Sequence, residues 1–244
     1  MSQLRVVALY PEQMNIYADR GNIMFLRSRC EWRGIGFSYL GIGVGERLDP
    51  GNADLIYIGG GQDRDQKNVA GDMVASKRAD LAAAVEAGSV LLAVCGGYQL
   101  LGHSYQLGDE RIEGLGIADL ETVRDPGPRL IGNIAIEVDL GLGPQLLAGF
   151  ENHGGRTHLG DGATPLGRVV KGHGNNGRDG FEGVRRLNIF GTYLHGPLLP
   201  KNAWLADRLI SLALARDGTE VELEPLDDAL EEQAHQTARR AALG

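Results

Sequence analysis

Residues 90–102 read VLLAVCGGYQLLG. An unbroken apolar run of strand length (90–94) meets a single cysteine, Cys95, then Gly96 and Gly97, then a helix-compatible stretch. A strand that is apolar at every position is buried on both faces, which places it inside a parallel sheet. A tight turn from such a strand into a helix is the layout of a nucleophile elbow at the carboxyl edge of a sheet. The central residue of an elbow holds strained backbone, so the residues two before and two after it must be small. Here they are Ala93 and Gly97. The helix start would aim N–H groups at the sulfur, lowering its pKa and stabilising a developing oxyanion. The alternative is a buried structural thiol, the common fate of a free cysteine. Cys30, the other cysteine, lacks this setting and reads as helix packing.

The rest of the chain supplies a sheet for that strand. Residues 4–10, 37–40 and 54–58 read as strands, the last stopped by Gly59, Gly60 and Gly61. Residues 21–33 and 73–87 read as helices, the second ended by Gly88. Alternation at this spacing implies one α/β domain with a largely parallel central sheet flanked by helices. Beyond Gly108 the texture changes: 114–123, 133–140, 166–171 and 187–193 read as strands joined by glycine-rich turns, and 202–215 as a helix. From Glu220 an acidic segment leads into a helix-prone stretch over 227–242, set to pack on the body or meet a partner.

Composition narrows the function. The net charge is −8 with no Lys/Arg block, so nucleic acid is not an expected partner. Glycine, at 37 residues of 244, is about twice its usual share and follows no repeat, which implies many tight turns and close backbone approaches. With two cysteines, no metal or disulfide framework is expected. The amino terminus shows neither an 18-residue apolar span nor a signal-peptide pattern, so a reduced, cytoplasmic protein without membrane insertion is the expectation.

A thiolate hydrolase needs a general base within hydrogen-bond reach. Of six histidines, His195 closes the run NIFGTYLHGP (188–197) and so lies at a strand end facing a cleft. His103 reads as surface or packing and His235 as surface. His153, His158 and His173 fall in glycine-rich loops and stay open as bases.

Taken together, AVCGGYQLLG (93–102), IYIGGGQD (56–63) and GTYLHGP (191–197) resemble the class I glutamine amidotransferases, in particular their cobyric acid synthase-like branch. The stretches LYPEQMNIYADRGN (9–22), GPRLIGN (127–133) and GFENHGGRT (149–157) are similar to the GatD family, glutaminase subunits of lipid II isoglutaminyl synthase. The likeness runs from about Leu4 to Pro197. It implies that Cys95 attacks the glutamine side-chain amide and that His195 acts as its base, then as acid to the departing ammonia. It makes Arg129 the glutamine-binding residue through a guanidinium–carboxylate pair. It also implies an oxyanion hole formed by backbone N–H groups of Gly60 or Gly61 and of Gly96. On that reading residues 1–218 are the glutaminase domain and 219–244 a tail.

The resemblance also implies a Mur-ligase-like (MurT-like) synthetase partner that activates a carboxylate with ATP. The chain lacks G-x-x-x-x-G-K-[ST], so ATP and magnesium are expected on the partner and no cofactor in this chain. One departure from the class pattern stands out. The third triad residue, a Glu two positions after the histidine, is replaced by Pro197. An imidazole without an orienting partner loses rate by orders of magnitude, so the isolated subunit should be a poor glutaminase whose partner supplies the missing group. Three other readings compete: an amidotransferase for a cobyrinate-type acceptor, a stand-alone DJ-1/protease-like cysteine hydrolase, and a non-catalytic subunit with a relic elbow.

Overall fold

The computed structural model describes residues 2–15, 20–216, 218 and 221–244. Its central sheet has six strands. β1 (Gln3–Leu9) leads through α1 (Arg20–Glu31) to β2 (Gly36–Ile42), then β3 (Leu55–Ile58). A helical segment follows: α2 (Asp63–Asp72), a π-helical stretch (Met73–Lys77) and α3 (Arg78–Glu86). After it come β4 (Val90–Val94) and the five-residue α4 (Gly96–Leu100). The last two strands of this sheet, β13 (Val184–Arg186) and β14 (Ile189–Thr192), arrive ninety residues later. The order is β13-β14-β4-β3-β1-β2, with every pair parallel except β13 and β14. The buried strands β3, β4 and β14 are enclosed at every residue, as all-apolar runs in a parallel sheet require.

Between β4 and β13 lie two further sheets, the first mixed and the second antiparallel. One is made of β5 (Ser104–Leu107), β6 (Glu110–Glu113), β7 (Leu120–Arg124) and β10 (Gly155–Leu159); within it β5 and β7 run parallel. The other contains β8 (Leu130–Asp139), β9 (Pro144–His153), β11 (Gly167–Lys171) and β12 (Phe181–Glu182). Much of this escaped the sequence pattern. The strand read at 114–123 is confined to β7, and β5, β6, β9 and β10 were unmarked. His153 and His158 consequently stand on β9 and β10, not in loops.

The helix expected at 73–87 begins ten residues earlier. Its first part, DRDQKNVAGD, is too polar to show a stripe; Gln66, Val69 and Ala70 turn inward. The π-helical stretch adds a residue to the turn and buries Lys77, whose ammonium pairs with Asp72 (2.5 Å) under the Tyr10 ring.

After β14 the chain forms α5 (Leu198–Lys201), α6 (Ala203–Leu214) and α7 (Ala229–Leu243). α6 buries Leu205, Ala206, Leu209, Ile210 and Ala213 on one face, against β1, β3 and β4. The tail is held to the body by charge. Arg29 of α1 is fully buried and pairs with Asp207 of α6 (2.5 Å) and with Asp228, just before α7. α7 then packs on β8, β9 and α5, and Asn133 Nδ2 donates to Ala241 O (3.1 Å). Residues 217, 219 and 220, where the domain-to-tail boundary was drawn, lie outside the described residues, as do 16–19 of the LYPEQMNIYADRGN stretch. Among the described residues no helix is long and apolar enough to cross a membrane.

Candidate active site

Cys95 follows directly on β4 with φ +52° and ψ −108°. A non-glycine residue in that region stores about 1–3 kcal/mol and persists only where its surroundings fix it. Three hydrogen bonds do so: Cys95 N–H to Thr192 O (2.8 Å), Gln99 N–H to Cys95 O (3.1 Å) and Gly97 N–H to Gly59 O (3.1 Å). The last bond clamps the 59–61 loop to the elbow. Gly97 has to be glycine, because a Cβ there would lie 2.6 Å from Ile58 O and 2.8 Å from Gly59 O. Since α4 has only five residues, the electrostatic help at the sulfur comes from the first N–H groups and little from a macrodipole.

His195 reaches the same edge from the neighbouring strand. β14 pairs with β4 with Thr192 opposite Val94, so the histidine emerges three residues beyond β14 beside the cysteine turn. Its backbone exchanges two hydrogen bonds with Phe150, at 3.0 and 3.1 Å, and its ring lies edge-on to the Phe150 ring. The side chain is fully buried. Burial, reinforced by nearby His153, Lys201 and Arg129, pushes its pKa down to about 4. The imidazole is therefore neutral at pH 7 and able to accept a proton. Burial also lowers the Lys201 ammonium.

The other sequence candidates fall as follows. Gly60 and Gly61 lie in the loop tied to the elbow by Gly59, and Gly96 follows Cys95, so the three oxyanion candidates lie at the same edge of the sheet. Arg129 stands at the rim just before β8. It donates through Nε to Asn152 Oδ1 (2.9 Å) and through Nη2 to Asn152 O (2.8 Å). His103 is exposed and pairs with Asp119 (3.0 Å), while His158 and His173 point to solvent. His235 is half-buried and bonded to Lys201 O (2.8 Å). His153 is buried and stacks on the Tyr193 ring at 3.6 Å, donating from Nδ1 to Gly155 O (2.9 Å). Cys30 is buried in α1, and burial pushes its thiol up to about 12.

Several contributors carried no usable sequence signal. Tyr193 OH bonds to Thr157 Oγ1 (2.6 Å) and accepts from Gln99 Nε2 (3.1 Å); Gln99 Oε1 accepts from Gln66 Nε2 (3.2 Å). Glu182, fully enclosed, accepts from Tyr193 N–H (2.6 Å) and Thr192 Oγ1 (3.0 Å), fixing the segment that delivers His195. Burial raises its carboxyl to about 8 in spite of those bonds. Pro197, at the position of the missing carboxylate, packs its ring against Gly21, where a Cβ would meet Pro197 Cγ at 2.8 Å. Asn22 beside it accepts from Leu199 N–H (2.8 Å) and donates to Tyr57 OH (3.0 Å). The RGN end of the 9–22 stretch thus holds the turn that follows His195.

Residues 5–203 match the model of the CobB/CobQ-like glutamine amidotransferase domain. The chain belongs to that family. Two relatives are similar over nearly its whole length, both described as lipid II isoglutaminyl synthase (glutamine-hydrolyzing) subunit GatD. The Staphylococcus aureus protein is 40% identical over 97% of this chain and 95% of its own length. The Streptococcus pneumoniae protein is 39% identical over 95% and 88%. Cobyric acid synthase of Rhodobacter capsulatus is 35% identical over 75% of this chain but only 38% of its own length. Among solved structures, that of PurLQS from Thermotoga maritima superposes with a TM-score of 0.57 over 88% of this chain and 96% of its own, at 20% identity, a likeness of fold alone. The structure sets Cys95 after β4, His195 after β14 and the 59–61 loop after β3 at one edge of the parallel sheet.

Proposed function

We propose that this chain is the glutaminase subunit of a two-protein ligase, releasing ammonia at Cys95 for a Mur-ligase-like, ATP-dependent partner that amidates the D-glutamate of lipid II to D-isoglutamine. The observation that carries the glutaminase step is the strained Cys95 turn set beside a buried, neutral His195 that follows the adjacent strand. In this reading His195 takes the thiol proton as sulfur attacks the amide carbon. The tetrahedral oxyanion faces the N–H groups of Gly96 and of Gly60 or Gly61, and Arg129 holds the substrate carboxylate. His195 then protonates the leaving nitrogen, ammonia departs, and water cleaves the thioester by the same base. ATP and magnesium would belong to the partner, where phosphorylation of the acceptor carboxylate would give an acyl phosphate whose phosphate leaves as ammonia attacks the acyl carbon. The choice of lipid II over a cobyrinate-type acceptor is supported by similarity: the GatD relatives are 39–40% identical over 95–97% of this chain, whereas cobyric acid synthase of Rhodobacter capsulatus is 35% identical over 75% of it.

The surroundings of His195 also support a contribution from the partner. Each neighbour that shifts its pKa, His153, Lys201 and Arg129, lowers it. An imidazole held near 4 is a weak base, and a carboxylate inserted by the partner would raise it and stabilise the imidazolium. Steady-state glutamine hydrolysis by the isolated chain and by the copurified pair tests both parts. The pair should be at least about 10-fold faster, and Cys95→Ala should abolish ammonia release. Equal rates would remove the partner's role; ammonia release by Cys95→Ala would remove the nucleophile; peptidase activity without glutaminase would point to the stand-alone hydrolase.

A further inference from the structure

The two sources of oxyanion N–H groups belong to different parts of the chain, the 59–61 loop and the elbow. One side chain lies against both. Gln66, in the first turn of α2, is 4% exposed, and its Cγ lies 3.1 Å from where a Cβ on Gly96 would be and 3.5 Å from where one on Gly61 would be. Its amide group comes closer still to the Gly96 position, with Cδ at 2.8 Å. The side chain occupies the volume that any residue but glycine would claim at position 96.

If Gln66 only filled space, a leucine or methionine would do so without the cost of burying a carboxamide, roughly 1–3 kcal/mol when unsatisfied. Its amide is bonded instead. Nε2 donates to Gln99 Oε1 (3.2 Å), Gln99 Nε2 donates to Tyr193 OH (3.1 Å), and Tyr193 OH meets Thr157 Oγ1 (2.6 Å), which meets Thr122 Oγ1 (2.8 Å). The chain of amides and hydroxyls starts at Gln66, against the 59–61 loop, passes through Tyr193, two positions before His195, and ends at Thr122. It is buried throughout, so each bond is worth more than it would be in water.

We infer that Gln66 is a positioning residue of the oxyanion site: wedged between Gly61 and Gly96, it sets the separation of the two N–H donors and couples it, through Gln99 and Tyr193, to the strand that carries His195. This rests on the reading of Cys95 as a glutaminase nucleophile. A neutral amide suits the place. A carboxylate of the same shape would stand within a few ångströms of the negative charge that develops on the substrate oxygen, where the low dielectric magnifies repulsion.

The test uses the copurified complex with two variants. Gln66→Met keeps length and volume but cannot bond to Gln99, and Gln66→Glu keeps shape but adds charge. Both should lower kcat for glutamine hydrolysis at pH 8 by about 10- to 100-fold, short of the full loss of an oxyanion donor, with KM changed less than about 2-fold. Alkylation of Cys95 by iodoacetamide, which forms no oxyanion, should stay within about 2-fold of wild type. Gln66→Glu should recover activity relative to wild type as the pH is lowered and its carboxyl takes up a proton; Gln66→Met should not. A Gln66→Met kcat within about 2-fold of wild type overturns the inference, as does a loss of alkylation equal to the loss of kcat, or a Gln66→Glu profile parallel to wild type. Wild-type complex that released no ammonia would instead sink the glutaminase reading itself.

Discussion

Replacing Gly97 with alanine puts a methyl group 2.6 Å from Ile58 O, 2.7 Å from Ile58 Cγ2 and 2.8 Å from Gly59 O. Two of the three atoms are backbone, so no rotamer change relieves the overlap. The elbow and the end of β3 must part by about half an ångström or more to restore ordinary contact distances. Overpacking of this kind costs about 1–3 kcal/mol. The same movement stretches the Gly97 N–H to Gly59 O bond, now 3.1 Å, for about 1 kcal/mol more. A loss of roughly 2–4 kcal/mol is expected by urea denaturation. Because the opening separates Cys95 from the 59–61 loop, kcat for glutamine hydrolysis in the complex should fall by about 100-fold, while iodoacetamide still alkylates the thiol. Gly71→Ala is the control. It lies in α2 with nothing within 4 Å of its Cβ position and should be neutral or gain up to about 1 kcal/mol. A Gly97→Ala protein within about 0.5 kcal/mol of wild type, or with hydrolysis within about 2-fold, would refute the steric argument.

Glu182 should make stability fall with rising pH. Its folded carboxyl is raised to about 8 from 4.5, so this contribution is complete below about 4.5 and is lost as pH climbs through 8. The depressed His195 ring, near 4, works oppositely, destabilising as pH falls below about 6.5. The window from about 6.5 to 8 isolates Glu182 and should show a decline of about 2 kcal/mol. Glu182→Gln should flatten that window in urea melts; an unchanged slope would mean that the carboxyl is ionised when folded. Arg129→Ala should raise KM for glutamine by about 10- to 100-fold with a smaller effect on kcat, measured by ammonia release. An unchanged KM would take Arg129 out of the binding site.

The elbow was legible because its requirements are local: a buried strand, small residues at 93 and 97, and a tight turn are all written within thirteen residues. The choice of His195 among six histidines rested on its place at the end of an apolar run, and the parallel pairing of β14 with β4 brings it to the cysteine's edge. His153 shows the limit of such reasoning. It looked like a loop residue, yet β9 pairs along its whole length with β8 and seats its ring on Tyr193. β5 and β6 are only four residues long and β9 is interrupted at Gly149, so none offers a run long enough to read.

By itself, the sequence determined the parallel sheet, the cysteine turn and the family motifs, since apolar runs and glycine spacing act over a few residues. Only the tertiary structure decided what surrounds those groups. It placed Gln66 between two glycines thirty-five residues apart, enclosed Glu182 beneath the His195 strand, and gathered Arg129, His153 and Lys201 around one imidazole. Burial and charge proximity are properties of the assembled space, and no window along the chain contains them.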